Sequence, residues 1–445
     1  MLVLEPGYRI VAILERLANE LREFSGQYDS VSSASLGDYA IDGHLPSAVI
    51  FPFKEELLTS ILSLANREMY NVVPRGSGAL VELGNCPSKV DIVLGTTRLE
   101  SRIDHRPDDL TVTVSSGTPL GVLQEHLALS NQWVLLDPPL ASHRTIGGIL
   151  ATNLDGPLSL GQGLIRDQVI GMKVAGPSGE ITKSGGKVVK NVTGFDIQKL
   201  HIGALGTLGV ILETSFKVWP LPKLDATLVL GYQSLSEIAN EMNDLRNSHC
   251  NPDAEEVIIS FQNGIEHTAY LRFMGSSKGV KARLDEAKKI LRYSEKTRKE
   301  TCVGAASVGI WPNLANFGWE PNDGNLLLRF ICLPSKVFEL ANIVKQFTEK
   351  EELDYSFLVS FGRGNARLLI LENLVSDKVY KIVENLRGIS ESLGGYMTIE
   401  RVSSEIKLNL DVWSPLGNEL ELMKRVKNQL DPLNVLNKGR YVGGI

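Results

Sequence analysis

Apolar residues in the first half of the chain fall into short runs and helical spacings that predict alternating strands and helices. The run over residues 48–51 predicts a strand, and apolar residues spaced from Leu57 to Ala65 predict the helix after it. Val72 and Val73 predict a second strand, which runs directly into a glycine-rich turn. Four more apolar stretches predict strands, at residues 91–94, 110–114, 169–175 and 209–218. Glycine-bearing loops are expected among them, at residues 145–148, 161–163 and 203–209.

The pattern changes at Pro220, where glycines thin out and strands and helices alternate in two similar series. The first series predicts strands 226–230, 257–260 and 269–273 with helices 236–245 and 280–291. The second predicts strands 326–332, 355–359, 368–371 and 397–402 with helices 336–347 and 377–393. Each approximates β-α-β-β-α-β, the ferredoxin-like split unit, although the last strand of the first series is weak. We therefore predict three regions: 1–220, with a core of about 42–220, then 221–402, and a tail 403–445 that holds a helix at 419–429.

The composition narrows the possible functions. The chain has 445 residues, 43% hydrophobic and 22% charged, so it can bury a large core. Its net charge of −6 argues against nucleic acid as the main partner, because phosphate binding needs a surplus of Lys and Arg. Four scattered cysteines without a CxxC pair argue against an iron–sulfur or zinc site in this chain and fit a reducing compartment. No apolar run approaches the roughly 20 residues of a membrane span, so we expect a cytoplasmic protein that reaches a membrane only through partners.

The turn Arg75-Gly76-Ser77-Gly78 is the first candidate for chemistry. Glycines let backbone N–H groups converge on an anion without a Cβ clash, which makes a phosphate nest. The spacing is neither a Rossmann fingerprint nor a Walker loop, and such a turn alone is more often a tight loop than a ligand site. A second stretch of small residues runs from Thr145 to Asn153. It favours either close approach of a flat or charged ligand or dense packing of a helix on a sheet.

Two other motifs favour ordinary structural interpretations. Residues 275–279 match G-x-S-x-G, but a hydrolase elbow has its His after the Ser, and all seven histidines, the last being His267, precede Ser277. A polar loop between a strand and a helix is therefore the better interpretation. Residues 360–365 form either a functional loop or a hairpin turn.

Taken in order, the pieces resemble one family, the vanillyl-alcohol-oxidase-type flavoproteins, in its FAD-binding module over about residues 40–220 and again in the tail. The segments that carry the resemblance are Pro74-Arg75-Gly76-Ser77-Gly78, Val114-x-x-Gly117, Asp137-Pro138-Pro139, Thr145-Ile146-Gly147-Gly148, Lys190-Asn191-x-x-Gly194-x-Asp196, Gly203-x-x-Gly206-Thr207-Leu208-Gly209-Val210-Ile211 and Asp431-Pro432…Asn437-x-Gly439-Arg440. Trp413 and the ending after Arg440 are most similar to the FAD-binding (E) subunits of bacterial-type glycolate oxidases. The resemblance implies an α+β fold, with a two-subdomain PCMH-type FAD-binding domain and a ferredoxin-like α/β cap domain.

The resemblance also implies roles for individual residues. The pyrophosphate of FAD would be held by backbone N–H groups of Gly76, Ser77, Gly78 and Ala79. The flavin and ribityl group would be lined by Gly147, Gly148, Thr152 and Asn153, with Thr145 nearby. The adenine side would meet Gly206, Gly209, Val210 and Ile211, and the isoalloxazine ring would meet Asn437. The remaining cofactor-binding residues of these motifs are Pro74, Arg75, Pro138 and Lys190.

The sequence departs from the family at two places. Ala79 stands where some relatives carry a flavin-linking His, so we expect non-covalent FAD. Catalytic relatives carry an H-x-G-D-G-N-type segment in the cap, but residues 360–365, which correspond to it, lack a histidine, and none follows His267. Hydride removal from a 2-hydroxy acid needs a base for the hydroxyl proton. We therefore assign no catalytic residue and no metal; Arg401 and Arg440 would hold a carboxylate or form structural salt bridges.

The resemblance implies a FAD-binding subunit of a glycolate oxidase complex, which takes part in the oxidation of glycolate, a small 2-hydroxy acid, to glyoxylate. Its partners would be a catalytic FAD-linked glycolate oxidase subunit and an iron–sulfur subunit. Two alternatives stay open. One is a stand-alone FAD-dependent 2-hydroxy acid dehydrogenase of the D-lactate type with an unrecognised base. The other is a flavin-free structural subunit that keeps the fold.

Overall fold

The computed structural model describes residues 13, 16, 19, 22–24, 26–186, 195–260, 267–296, 298–320 and 326–445. Its first sheet has the strand order β1-β2-β4-β3. The strands are β1 (Tyr28–Ser30), β2 (Ala48–Pro52), β3 (Val72–Arg75) and β4 (Ile92–Gly95). β4 pairs in parallel with both β2 and β3, so β2 and β3 run in the same direction and need a crossover connection. Helix α1 (Glu55–Glu68) makes the crossover from β2 to β3. Glu55 and Glu56 stabilise the first turn of α1, because negative charges interact favourably with the helix N-terminus, and the apolar face of α1 is buried against the sheet.

The second sheet is antiparallel, in the order β5-β6-β10-β8-β9. Its strands are β5 (Ile103–Arg106), β6 (Thr111–Ser115), β8 (Val169–Ala175), β9 (Ile181–Gly185) and β10 (Val210–Lys217), with β7 (Gln132–Trp133) paired to β11 (Trp219–Pro220) outside it. The helices of this region are α2 (Leu120–Ala128), α3 (Ile146–Thr152), α4 (Ser159–Gln162), α5 (Ile165–Gln168) and α6 (Gln198–His201). The loop predicted at residues 145–148 is wrong, because Thr145 caps α3 and accepts the Gly148 N–H.

The cap is built on a single sheet of eight strands, in the order β15-β12-β14-β13-β17-β18-β16-β19. The first half contains β12 (Leu224–Tyr232), α7 (Leu235–Arg246), β13 (Ala254–Ser260), β14 (His267–Gly275), α8 (Ser277–Ile290) and β15 (Lys299–Val303). Helices α9 (Ala305–Val308) and α10 (Trp311–Ala315) follow, and the second half contains β16 (Leu326–Ile331), α11 (Val337–Lys350), β17 (Tyr355–Ser360), β18 (Asn365–Ile370), α12 (Ser376–Ser392) and β19 (Tyr396–Arg401). The α+β fold class with two ferredoxin-like halves is confirmed, and the two halves join through β13 and β17.

Alternation along the cap strands separates two faces of this sheet. Leu228, Phe273 and Leu368 belong to the apolar cluster that the helices cover. The neighbours at odd spacing, such as Arg272 and Arg367, leave that cluster and form ion pairs on the opposite face. That charged face meets the N-terminal region. A small apolar cluster joins the two regions, formed by Leu80, Leu83, Leu154, Leu205, Trp319, Leu327 and Leu369.

The tail returns to the first sheet after helices α13 (Ser404–Lys407) and α14 (Glu419–Leu430). The Val72 N–H donates to the Val435 carbonyl at 2.8 Å, and the Asn437 N–H donates to the Val72 carbonyl at 2.8 Å. Buried Lys427 holds this path, because its Nζ lies 2.6 Å from Asp431 Oδ2 and 2.8 Å from the Thr207 carbonyl oxygen. The tail therefore lies beside the turn that follows β3. We keep the boundaries 220/221 and 402/403 as proposals.

Candidate functional site

The turn that follows β3 packs against the start of α3. A Cβ on Gly76 would lie 2.0 Å from Thr145 Oγ1, a contact that no side chain tolerates. Gly78 has φ +81°, the left-handed region that favours glycine, and its Cβ would meet the Arg75 guanidinium at 2.4 Å. Gly76 is thus required for the turn and α3 to approach each other closely, and Gly78 for the backbone of the turn itself.

The Arg75 side chain packs against the turn at Gly78. Its guanidinium carbon lies 4.9 Å from the centre of the Tyr39 ring, a cation–π contact. Burial lowers the pKa of Arg75, and its Nη1 has no hydrogen-bond partner among the described residues. A buried unpaired donor of this kind fits an anionic ligand in the turn.

Two further glycine contacts bring α3 and the strand β10 to the same place. A Cβ on Gly147 would lie 2.9 Å from Ser116 Cβ, just beyond β6. A Cβ on Gly209, which directly precedes β10, would lie 2.5 Å from Val174 Cγ1 and 3.3 Å from His201 Cε1. Burial lowers the pKa of His201 to about 4, so this imidazole is neutral near pH 7.

Asn437 brings the tail into the site. Its Nδ2 donates to the Leu205 carbonyl at 2.5 Å, whereas its buried Oδ1 has no partner among the described residues. The residue has φ +44°, which Asn adopts more readily than most residues. Asn437 therefore brings an unpaired acceptor to the wall of the site.

These elements line two adjoining hollows that are open to solvent. The first hollow, of about 540 Å³, is lined by residues that include Ser77, Gly78, Ala79, Arg144, Thr145, Thr152, Asn437 and Arg440. The second hollow, of about 410 Å³, is lined by residues that include Thr96, Ser116, Gly147, Gly206, Gly209, Val210 and Ile211. Both are lined by Pro74, Arg75, Gly76, Gly148, Ala151 and Leu205. Two chambers that share a glycine-rich turn suit a ligand with two ends and a phosphate bridge.

The predicted cofactor residues divide into three groups in the structure. Fifteen line one or both hollows: Pro74, Arg75, Gly76, Ser77, Gly78, Ala79, Thr145, Gly147, Gly148, Thr152, Gly206, Gly209, Val210, Ile211 and Asn437. Asn153 lines the neighbouring cap cleft, and Pro138 lines neither hollow. Lys190 lies outside the described residues. Sequence reasoning missed Arg144 altogether, and it gave Arg440 no cofactor role although Arg440 lines the first hollow and donates to the Leu83 carbonyl at 2.5 Å.

A cap cleft of about 950 Å³ lies next to the first hollow. It is lined by Asn153, Asp155, Ser159, Leu160, Leu164, Arg329, Ile331, Gly362, Arg363 and Asn365. Both terminal nitrogens of Arg363 are engaged there, since the side chain pairs with Glu256 and donates to the Gly156 carbonyl at 2.9 Å and to Ser159 Oγ at 3.1 Å, and only its Nε lacks a partner among the described residues. Arg329 has only long contacts, 3.4 Å to Asn365 Oδ1 and 3.8 Å to Glu400 Oε1. Of these two cleft cations, Arg329 therefore has the greater hydrogen-bonding capacity left for a ligand.

The two ordinary interpretations of the remaining motifs agree with the structure. Ser276 caps α8, accepting the Gly279 N–H at 3.2 Å. Residues 361–364 connect β17 to β18 as the turn of a hairpin, although this turn also carries Arg363 into the cap cleft. Among the described residues no group of three or more His, Cys, Asp or Glu could hold a metal ion. No helix in the described ranges is long and apolar enough to cross a membrane.

The fold and site first define a class. Residues 46–185 match the family model of the FAD binding domain. Over 98% of the chain, and 97% of the other protein, the fold superposes on p-cresol methylhydroxylase with a TM-score of 0.74 at 15% identity. Residues 46–185 thus form an FAD-binding domain, the overall fold is that of PCMH-type FAD-binding proteins, and the chain is an FAD-linked oxidoreductase.

Relatives with known names narrow this class. Glycolate oxidase subunit GlcD of Bacillus subtilis is 24% identical over 89% of each chain. D-lactate dehydrogenase [cytochrome] of Arabidopsis thaliana is 26% identical over 90% of this chain and 74% of that protein. Glycolate oxidase subunit GlcE of Escherichia coli is 35% identical, but only over 31% of this chain and 40% of that protein. The match to GlcE, the subunit type expected from the sequence, thus covers only a short part of the chain, whereas the match to GlcD covers nearly all of it.

Proposed function

We propose that this chain is the FAD-carrying subunit of a complex that oxidises a small 2-hydroxy acid, with glycolate and glyoxylate as the pair favoured by the two glycolate oxidase relatives. The observation that carries the proposal is a contrast between two adjoining spaces. The two hollows offer a nest, orphaned polar groups and glycines for a dinucleotide. The cap cleft beside them is lined by no imidazole within the described part of the chain.

The residues of the hollows fit FAD. The backbone of Gly76, Ser77, Gly78 and Ala79 would hold the pyrophosphate, and Arg75 Nη1 would supply a further donor from below. Asn437 Oδ1 would accept a hydrogen bond from the ring system. The flavin end would lie in the first hollow and the adenine end in the second. Since Ala79 cannot form a bond to the flavin, the cofactor would be held without a covalent link. The chemistry supplied by bound FAD is acceptance of a hydride from the carbon that bears the hydroxyl group.

The cap cleft would position the acid. Arg329 would bind its carboxylate, because a guanidinium with spare donors in a buried cleft makes strong charge-assisted hydrogen bonds. Asn365, beside Arg329, would orient the hydroxyl group. An efficient base of near-neutral pKa for the hydroxyl proton is the missing part, which is why we place the main catalytic centre in a partner flavoprotein subunit. An iron–sulfur subunit would be the second partner and would carry electrons onward. We place this complex in the cytoplasm, at a membrane only through its partners.

The decisive experiment compares the purified chain with its native complex. The chain alone, supplied with FAD, is expected to be yellow with a stoichiometric flavin. Excess glycolate should leave that absorbance unchanged over minutes. The complex isolated from its source should be bleached by glycolate within seconds. A colourless chain that takes up no FAD would overturn the proposal, as would a native isolate with no second flavoprotein.

A second candidate is a stand-alone 2-hydroxy acid dehydrogenase. It is favoured by the long match to a D-lactate dehydrogenase and by one feature of the cap cleft. Asp155 lines that cleft together with Arg329, and Asp155 Oδ1 is held by the Ile165 N–H at 2.9 Å. Behind it, a Cβ on Gly156 would meet Asp137 Oδ1 at 2.4 Å, and burial raises the pKa of Asp137 to about 7. Rapid bleaching of the isolated chain by D-lactate, lost in Asp155→Asn, would select this candidate over the first.

A further inference from the structure

Arg144 is a buried cation in an unusual setting. Its side chain is covered, with 2% relative exposure, yet it lines the first hollow. Its guanidinium donates to the Gly148 carbonyl at 3.0 Å, to the Pro139 carbonyl at 3.3 Å and to the Thr152 hydroxyl. All three partners are neutral. No carboxylate of the described residues forms an ion pair with it, and burial alone lowers the pKa of Arg144 to about 9.

The described arginines of the cap that are buried or nearly so are compensated, whereas Arg440, which also lines the first hollow, likewise donates only to carbonyls. Arg272 Nη2 lies 2.6 Å from Asp225 Oδ2, and Arg367 Nε lies 2.7 Å from Glu400 Oε2. Arg363 pairs in the same way with Glu256. A buried charge without a counter-charge is costly, so a fold that keeps one beside a ligand cleft fits a ligand that brings the missing negative charge.

The position of Arg144 shows which part of the ligand that would be. The nest packs on Thr145, at the N-terminal end of α3. The guanidinium of Arg144 instead reaches Thr152, at the other end of the helix, about 10 Å further along at the usual rise per residue. It therefore faces the first hollow away from the nest, on the side where Asn437 and Arg440 also line the wall.

We propose that Arg144 is the positive charge that stabilises the reduced flavin ring. A hydride leaves the hydroxyl-bearing carbon with both electrons of its C–H bond, and the hydroxyl proton goes to a base or to solvent. FAD that has accepted this hydride would carry one more negative charge, and Arg144 would supply the counter-charge. The inference requires FAD in the first hollow but does not depend on which hydroxy acid is oxidised or on a partner subunit.

The test uses the FAD-loaded chain and sulfite, which adds to an oxidised flavin and places a negative charge on the ring. Arg144→Gln removes the charge but can still donate to the Gly148 carbonyl, and Arg144→Lys keeps the charge. We expect Arg144→Gln to retain FAD and to raise the sulfite dissociation constant at least about tenfold. Arg144→Lys should raise it by less than about threefold. Arg106→Met, which removes an exposed arginine paired with Asp104, is the matched control and should behave like the wild type.

Three outcomes would overturn the proposal. Wild-type sulfite affinity in FAD-loaded Arg144→Gln would show that the charge does not act on the ring. Loss of oxidised FAD from Arg144→Gln, with retention in Arg144→Lys, would assign the charge to the pyrophosphate. Unfolding of both Arg144→Gln and Arg144→Met would make Arg144 a structural brace of α3. A colourless wild-type chain would instead refute the proposed function itself, so the two failures are distinguishable.

Discussion

The two hollows around the glycine-rich turn and α3 form a cradle for the proposed cofactor, and this cradle adjoins the cap cleft. The two sites are built from different kinds of contact. The cradle consists of turns in which glycines remove side chains so that backbones approach, as at Gly76 and Gly147. The cap cleft lies against a sheet face that carries several ion pairs: the one between Arg363 and Glu256 reaches the cleft, and the one between Arg367 and Glu400 lies on the same face. The cradle leaves room for one large ligand. The cap cleft fixes the positions of its own side chains before any ligand arrives.

This difference separates two kinds of robustness. In the cradle the interactions that matter are with the ligand, so damage should appear as lost cofactor in a folded protein. In the cap the charges compensate one another, so damage should appear first as lost stability. The predictions below test that division.

The largest effect is expected in the cap. Arg367→Met leaves Glu400, whose side chain is 1% exposed, with Arg329 at 3.8 Å as its remaining ion-pair partner. A buried carboxylate left with only this distant partner should lower the free energy of unfolding by about 3–5 kcal/mol. Urea unfolding followed by circular dichroism measures the loss.

The double variant Arg367→Met/Glu400→Met should recover most of that loss, because both charges are removed together. Arg106→Met, at an exposed pair, should change the free energy by less than about 0.5 kcal/mol. A cap that keeps wild-type stability in the single variant would contradict the division between the two regions.

The next effect belongs to the cradle. Gly76→Val places a branched side chain where even a Cβ would lie 2.0 Å from Thr145 Oγ1 and fills the turn. We expect the affinity for FAD to fall by roughly 100-fold or more, since the nest is lost. Equilibrium titration of the apoprotein with FAD, followed by flavin fluorescence, measures it.

Gly388→Ala is the control for Gly76→Val. Gly388 lies inside α12 with nothing within 4 Å of its added Cβ, so FAD affinity should be unchanged and stability slightly increased. If Gly76→Val bound FAD as tightly as Gly388→Ala, the turn would be an ordinary tight loop.

A smaller effect is expected where the two regions meet a substrate. Arg329→Met should weaken glycolate binding by about 10- to 100-fold, because it removes the charge-assisted hydrogen bonds proposed for the carboxylate. Isothermal titration calorimetry of the FAD-loaded chain with glycolate measures the dissociation constant, and the FAD content should equal that of the wild type. Arg329→Lys should recover part of the affinity. Unchanged glycolate binding in Arg329→Met would move the acid out of the cap cleft.

The sequence predicted these two regions unequally, for physical reasons. Most strands were found within one or two residues, and residues 169–175 match β8 at both ends. The cradle could be predicted because glycines that are required by close backbone contacts stand together in motifs. The helix α3 was taken for a loop, since Gly147 and Gly148 disfavour helices and only the Thr145 cap and the contact with Ser116 reveal it.

The charged residues of the cap could not be predicted in the same way. Arg329 and Arg367 stand alone within apolar strands, and Glu400 is followed by Arg401 at the end of its strand. Such charges in a strand look like solvent-facing positions. Only the strand order brings β18, β16 and β19 side by side, so that these charges meet. Arg144 escaped for a related reason: it directly precedes a recognisable motif but is no part of it.

The smallest effect sharpens the comparison through pH. One buried imidazole near the cradle makes the free energy of unfolding depend on pH. Burial lowers the pKa of His201 to about 4, against roughly 6.5 in the unfolded chain. The unfolded chain therefore binds a proton more readily, and stability is lost as pH falls from about 6.5 towards 4. Between pH 7 and pH 5.5 this group should lower the free energy of unfolding by about 1 kcal/mol.

Urea unfolding of the wild type and of His201→Gln at both pH values isolates this contribution. The variant should lose less stability than the wild type by that amount. The control His143→Gln, at an exposed histidine, should follow the wild type. Equal pH dependence in all three proteins would mean that the imidazole near Gly209 is accessible to water, and the second hollow would then be more open than its packing indicates.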